Sequence, residues 1–322
     1  MKCINNRLIK KSIVMILSSM LFLTGCSGSG YSLPYENTSE GSKLSNETLS
    51  TFASNLCVAD SDVSSESASM SSASCAGLFD LNNKETLYAL NVNEQVAPAS
   101  LTKVMTALVA LKYGSLDQTL TATSDVQITE SGAQLIGLKA GDTMTLDQAL
   151  HILLIYSAND AAVLIAEGIG GSMDNFVEMM NEEAKEIGAT KSHFANPHGL
   201  TADDHYVTTY DMYLIFNEAM KYDEFQQIIN MSGYTTTYTS SSGKSVDVDI
   251  TTTNLYVRGD ESVPSNCTVI GGKTGTTTAA GHCLILLAKD NSGNPYISVI
   301  MKAEDSDTLY SEMTELLNKI VN

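Results

Sequence analysis

The chain has 322 residues, with 37 acidic against 18 basic side chains and a formal net charge of -19. That balance excludes a nucleic-acid-binding role and a basic membrane-binding patch, because both need clustered positive charge. Hydrophobic residues are plentiful enough to build a core, no repeat period is visible, and the length allows one large domain or two interleaved subdomains.

The N-terminus reads as targeting rather than fold. Lys2, Arg7, Lys10 and Lys11 make a basic start, and the apolar run from Ile13 to Leu23 is too short for a membrane span. The run ends in Leu23-Thr24-Gly25-Cys26, which resembles the bacterial lipoprotein cleavage box. That resemblance implies a signal peptide over residues 1–25 and a lipid on Cys26, which would hold the chain on the extracytoplasmic face of the membrane. A plain secretory signal with a chance cysteine is the alternative, and it exports the chain equally. Residues 26–73 are rich in Ser, Asn, Gly and acidic side chains, cannot bury enough apolar surface to order themselves, and are expected to form a flexible tether. The catalytic domain is expected over residues 74–322.

Of six cysteines, Cys3 leaves with the signal and Cys26 takes the lipid. Cys57, Cys75, Cys267 and Cys283 then allow three complete pairings. A Cys57–Cys75 bridge is one expectation and four free buried thiols are the other. Their spacing is not that of a zinc site.

Elements follow in order. Ala76–Leu81 and Thr86–Leu90 flank Asn82-Asn83-Lys84-Glu85 and predict a hairpin. Ser100 opens a helix with Val104, Leu108 and Leu111 on one buried face, stopped by Gly114. Thr145 and Gln148 have capping-box spacing for a helix through Ile155. Further helices are expected from Ala161, from Ser172 to Gly188 and from Thr208 to about Met220. Strand patterns return at Thr268–Gly275, His282–Lys289 and Tyr296–Met301, and a last amphipathic helix carries Leu309, Met313, Leu316, Leu317 and Ile320. The order predicts an α+β fold: an antiparallel sheet flanked by helices, with an all-helical insertion between the early hairpin and the late strands.

Three short strings carry the chemistry. In Ser100-Leu101-Thr102-Lys103 the serine and lysine lie one helical turn apart, so an amine can reach the hydroxyl. The amine acts as a base only when burial or a nearby cation keeps it neutral, and Lys273 is the expected cation. Ser157-Ala158-Asn159 sits between two apolar helices, where Ser157 can pass a proton with Lys103 and Asn159 can hold Lys103 and a substrate carbonyl. Lys273-Thr274-Gly275 ends a strand. Lys273 and Thr274 offer charge and a hydroxyl to a carboxylate, and Gly275 lets an extended ligand lie along the strand edge. The backbone N–H groups of Ser100 and Thr276 are the expected oxyanion hole. Taken singly these strings read as a helix cap with a surface lysine, an interhelical turn and a β-turn.

Together they resemble the low-molecular-mass penicillin-binding proteins, the serine D-alanyl-D-alanine carboxypeptidases, over Ala76 to about Met301. The resemblance extends through Pro98–Thr106, Tyr156–Ala162, Asn196-Pro197-His198-Gly199-Leu200 and Lys273–Gly281. It implies a β-lactamase/DD-peptidase-like fold and acylation of Ser100 by peptidoglycan stem peptides. It also implies release of the terminal D-Ala, inhibition by β-lactams and no cofactor. Many members continue into a β-rich domain and an amphipathic membrane helix. Here the last strand pattern lies near the end, and a lipidated Cys26 is the expected anchor. Members often carry an arginine near the carboxylate pocket; Arg258 is expected on the surface instead.

Three other classes share parts of this residue pattern. Class A β-lactamases have Asp where this chain has Ala158. A metallopeptidase would need ligands from His193, His198, Asp203, Asp204 and His205, which lack the His-Glu-x-x-His spacing. A penicillin-binding sensor that acylates without turnover uses the same residues as the enzyme and stays open.

Overall fold

The computed structural model describes residues 55–59, 61–63 and 70–320. The expected signal and Cys26 lie outside the described residues, as does most of the expected tether. In chain order, β1 (Cys75–Asp80) and β2 (Glu85–Leu90) form the early hairpin, and α1 (Thr102–Tyr113) follows a 3-10 turn over Ala99–Leu101. The insertion runs β3 (Thr119–Thr121), β4 (Thr143–Thr145), α2 (Leu146–His151), a π-helical turn over Ile152–Tyr156, α3 (Asn159–Gly170) and α4 (Met173–Glu186). It continues through α5 (Thr209–Ala219), α6 (Asp223–Ile229), β5 (Gly233–Thr239), β6 (Ser245–Thr251) and α7 (Leu255–Arg258). Then come β7 (Cys267–Thr277), β8 (Gly281–Asp290), β9 (Pro295–Ala303) and α8 (Ser306–Leu317).

The main sheet has the order β2-β1-β9-β8-β7, with every neighbouring pair antiparallel. The early hairpin therefore joins the late strands through β1 and β9, giving the expected α+β class. Side-chain alternation sorts its faces. Phe79, Ile285, Leu287, Ile297 and Val299 pack with the helical insertion. Leu78, Leu284, Leu286 and Ile300 pack with Met313, Leu316 and Leu317 of α8. Strand β7 is left as the open edge of this sheet.

The insertion is not all-helical. β3, β4, β5 and β6 form a second, four-stranded sheet. Its strong hairpin pairs Gly233–Thr239 with Ser245–Thr251; Tyr238, Val248 and Ile250 turn inward, while Thr235, Thr237, Asp247 and Asp249 face solvent. β-Branched residues on alternate positions suit such a half-buried surface. Helix α1 also differs from the amphipathic expectation. Every residue from Thr102 to Ala110 is buried, because α3, α4, α5 and the sheet surround it. The helix expected through Ile155 stays α-helical to His151 and widens into the π turn, which buries Ile152 through Ile155.

Part of the expected tether is docked. Tyr213 Oη accepts from the Cys57 amide (2.9 Å), Tyr210 Oη donates to the Cys57 carbonyl (2.8 Å), and Val63 exchanges backbone hydrogen bonds with Ala89 along the edge of β2. Ser71 Oγ, Ser72 N and Ala73 N all donate to the buried Glu312 carboxylate. An edge strand is covered and a buried charge receives three donors, which offsets the cost of ordering this polar stretch. Cys57 and Cys75 are not bridged: all four described cysteines are free and buried. Burial pushes their thiols up, to about 11 for Cys57 and Cys267 and about 12 for Cys75 and Cys283, so none is a ready nucleophile.

Candidate active site

The nucleophile turn is held in a strained shape. Ala99 sits at φ 46°, in the left-handed region that side chains disfavour, immediately before Ser100. Thr102 Oγ1 donates to the Ala99 carbonyl (2.8 Å) and meets His205 Nε2 (2.8 Å). The Ala195 amide donates to His205 Nδ1 (2.9 Å), so the imidazole proton belongs on Nε2 and is given to Thr102. Burial holds the His205 ring down to about 4, which keeps it neutral. Gly199, at φ 90°, lies so close that a Cβ would come 1.9 Å from the Ala99 carbonyl. These contacts clamp the turn from behind.

Lys103 is fully buried, 0% exposed, and its amine has three oxygen neighbours. They are Asn159 Oδ1 (2.6 Å), the His198 carbonyl (2.6 Å) and Ser100 Oγ (2.8 Å). Burial first, and then the charge of Lys273, hold its pKa well below the ordinary lysine value. A neutral amine has two N–H bonds and one lone pair. The amide and backbone oxygens of Asn159 and His198 can only accept, so they take the two N–H bonds. The lone pair is then left for the Ser100 hydroxyl, an arrangement that can remove its proton.

The His198 carbonyl is presented by a turn built on Asn196. Its Oδ1 accepts from the amides of His198 (3.3 Å) and Gly199 (2.7 Å), and Thr106 Oγ1 on α1 donates to the Pro197 carbonyl (2.6 Å). The loop is thus fastened to the helix that carries Lys103. Burial and the nearby Lys103 hold the His198 ring down to about 3.

Ser157 ends the π turn with φ 67°, again left-handed, which turns the chain sharply into α3 and delivers Asn159 to Lys103. Ser157 is bonded to Lys273 rather than to Lys103. Lys273 Nζ donates to Ser157 Oγ (2.9 Å) and to the Thr274 carbonyl (2.7 Å). The reason is β7's alternation, which aims Lys273 toward the helical side under Ser157. Lys273 is 1% exposed, and burial lowers it to about 7.

The cleft holds about 450 Å³ between the helical insertion and the open edge of β7. Ser100, Ser157, Asn159, Thr274, Gly275 and Thr276 line it, while Lys103 and Lys273 lie beneath its floor. All the expected site residues among those described are therefore brought together. Two expectations change in detail. Gly275 makes room for the nucleophile turn more than for a ligand: a Cβ there would stand 2.9 Å from the Ser100 amide nitrogen and 3.0 Å from that of Leu101. Thr274 Oγ1 is paired with Thr253 Oγ1 (2.6 Å), a cleft residue that no motif points to.

Asp160, inside the Tyr156–Ala162 segment, has a part that spacing does not announce. Its buried carboxylate accepts from the amides of Ile136 (3.2 Å), Gly137 (2.8 Å), Leu138 (3.0 Å) and Ala161 (3.1 Å), and the Asn159 amide donates to the Gln134 carbonyl (2.8 Å). This ties down the loop whose Gly132, Ala133 and Gln134 form a cleft wall. Arg258 lies outside the cleft, paired with Asp260. Among the described residues no group of three or more His, Cys, Asp or Glu side chains is placed to hold a metal. His193 and His205 instead serve loop hydrogen bonds, His193 Nδ1 lying 2.6 Å from the Asp204 carbonyl.

A serine and two buried lysines meeting where a helical layer abuts an antiparallel sheet define a serine-lysine acyl-transfer type of site. A family model described as D-alanyl-D-alanine carboxypeptidase (peptidase S11) matches residues 62–305, and the chain belongs to that family. It is similar to D-alanyl-D-alanine carboxypeptidase DacF of Bacillus subtilis, 33% identical over 251 residues that cover 76% of this chain and 61% of the relative. It is also similar to DacC of Escherichia coli, 30% identical over 249 residues, covering 74% and 59%. The chain thus spans about three-fifths of the length of these relatives. The crystal structure of the Streptomyces K15 DD-transpeptidase superposes with TM-score 0.71 at 25% identity, covering 80% of this chain and 98% of that one.

Proposed function

We propose that this chain is a serine-type D-alanyl-D-alanine carboxypeptidase that trims peptidoglycan stem peptides and is acylated by β-lactams. The observation that carries the reading is the Lys103 amine, whose two N–H bonds are directed to Asn159 and the His198 carbonyl and whose remaining direction is Ser100 Oγ, 2.8 Å away. Lys103 takes the Ser100 proton as Oγ attacks the carbonyl of the penultimate D-Ala. The N–H groups of Ser100 and Thr276 receive the oxyanion, in a site where such donors act with little competing water. Ser157 Oγ accepts from Lys273, so its own O–H is free to protonate the departing amine of the terminal D-Ala, and Lys273 restores that proton. The proton held by Lys103 passes through solvent in the cleft to the now neutral Lys273, so that Lys103 is a base again; it takes a proton from water as the water oxygen bonds to the acyl carbonyl, and returns that proton to Ser100 Oγ as the ester bond breaks and the shortened peptide leaves. Thr274, with the field of Lys273 beneath it, receives the terminal carboxylate.

The same reading places the enzyme at the outer face of the membrane, with the signal over residues 1–25, a lipid on Cys26 and a tether reaching the docked residues near 55. Its support is the sequence of that segment. Replacing Cys26 by Ser is expected to leave activity intact and release the protein from membranes; unchanged partitioning contradicts the anchor. The activity itself is tested by D-Ala release from an N-acyl-D-Ala-D-Ala peptide. The wild type should release D-Ala and Ser100→Ala should not. A stable penicillin adduct on Ser100 without D-Ala release would instead mark a sensor.

A further inference from the structure

A carboxylate entering a cleft that excludes water needs a cation or several donors to replace its hydration. The two lysines lie under the floor, with their amines already on Ser100, Asn159 and the His198 carbonyl, and on Ser157 and the Thr274 carbonyl. Arg258 is outside. Among the described residues that line the cleft, His282 alone has a side chain that can carry positive charge.

Its placement follows from strand register. His282 on β8 stands opposite Thr276 on β7, and Leu284 opposite Thr274. Leu284 points to the α8 side of the sheet, so by the two-residue alternation Thr274, Thr276 and His282 point there too. His282 Nδ1 lies 3.4 Å from Thr276 Oγ1, Thr253 Oγ1 is on Thr274, and Ser306 and Tyr310 of α8 close the far side. This corner gathers hydroxyls and one imidazole next to the carboxylate-binding strand, on the opposite face from Lys273. Asp305 caps α8 through the Thr308 amide and hydroxyl, and those capping bonds hold it below the usual carboxylate range.

We propose that His282 is a specificity-determining residue that recognises the free carboxylate at the end of the substrate, its ring N–H working with the Thr274 and Thr276 hydroxyls. This rests on the acyl-transfer reading above and deepens it: it accounts for preferring a chain-terminal D-residue over an amidated or internal one.

The test compares second-order acylation of the full-length protein by a β-lactam bearing its free carboxylate and by the methyl ester of the same compound. In His282→Ala the ratio of acid to ester rates should fall about tenfold, the scale of one hydrogen bond to a charged group. His282→Arg should restore or raise the ratio. Release of D-Ala from N-acyl-D-Ala-D-Ala should show the same variants acting on KM more than on kcat. An unchanged ratio in both variants overturns the inference, as does an equal loss for acid and ester. If the wild type forms no adduct on Ser100 with either compound, the acyl-transfer reading fails instead, so the two failures are distinguishable.

Discussion

The helical insertion and the five-stranded sheet each deliver one lysine to the floor of the cleft, and they do so differently. Lys103 rises from a helix buried on every side and finds three oxygens, two of them unable to give a proton. Lys273 hangs from an edge strand and finds a hydroxyl that can both accept and donate. Identical side chains are thereby directed to different chemistry: one toward being a base, the other toward supplying a proton and a positive field. Residue type does not set the role; the hydrogen-bonding partners do.

Removing the first lysine should be the most damaging way to test this contrast. Lys103→Met keeps the volume but leaves Ser100 without a base, and acylation by fluorescent penicillin should slow by about a thousandfold, within the range of general-base effects. A loss under tenfold would transfer the base role elsewhere. Lys273→Met should also slow acylation, by about a hundredfold, because Ser157 then loses its proton source. Equal losses from the two variants would not separate the roles.

The pH profile sharpens the same contrast. Activity should rise with pH as Lys103, lowered from its ordinary value, loses its proton, and fall as Lys273 deprotonates through about 7. Lys273→Arg, which stays charged, should shift the falling limb upward; an unmoved limb would assign it to another group.

Smaller effects come from the clamp behind the nucleophile. Gly199→Ala puts a Cβ into the Ala99 carbonyl at a left-handed position, and should lower stability by about 2 kcal/mol, read from denaturant midpoints. His205 and His198 are held neutral at about 4 and about 3, against an ordinary 6.5. Between those values the unfolded chain binds more protons than the folded one, so stability should decline as pH falls from 6.5 toward 4. Replacing His205 by Gln should flatten that slope, and an unaltered slope would remove His205 from the clamp.

The motifs legible in the sequence were those whose parts are close along the chain. Ser100 with Lys103, Ser157 with Asn159, and the strand ending in Lys273-Thr274-Gly275 each declare themselves by spacing, and the hairpin and late strands by alternation. What escaped depends on chain crossings. The His198 carbonyl that holds Lys103 is a backbone atom with no residue signature, and Thr253 reaches Thr274 only because β6 leads into the cleft. The three-residue strands β3 and β4 are too short for periodicity, and the π turn changes the helical period just where a regular count would continue it. Spacing along the chain pairs Ser157 with Lys103, because sequence order does not reveal that the pleat of β7 places Lys273 beneath it.

Acylation should fall on Ser100 alone, driven by the amine at its side. Peptide mass mapping after penicillin treatment tests it most directly. A single adduct should appear on the peptide carrying Ser100, lost in Ser100→Ala and strongly reduced in Lys103→Met; an adduct on Ser157, or labelling undiminished without Lys103, would overturn the roles given to Ser100 and Lys103.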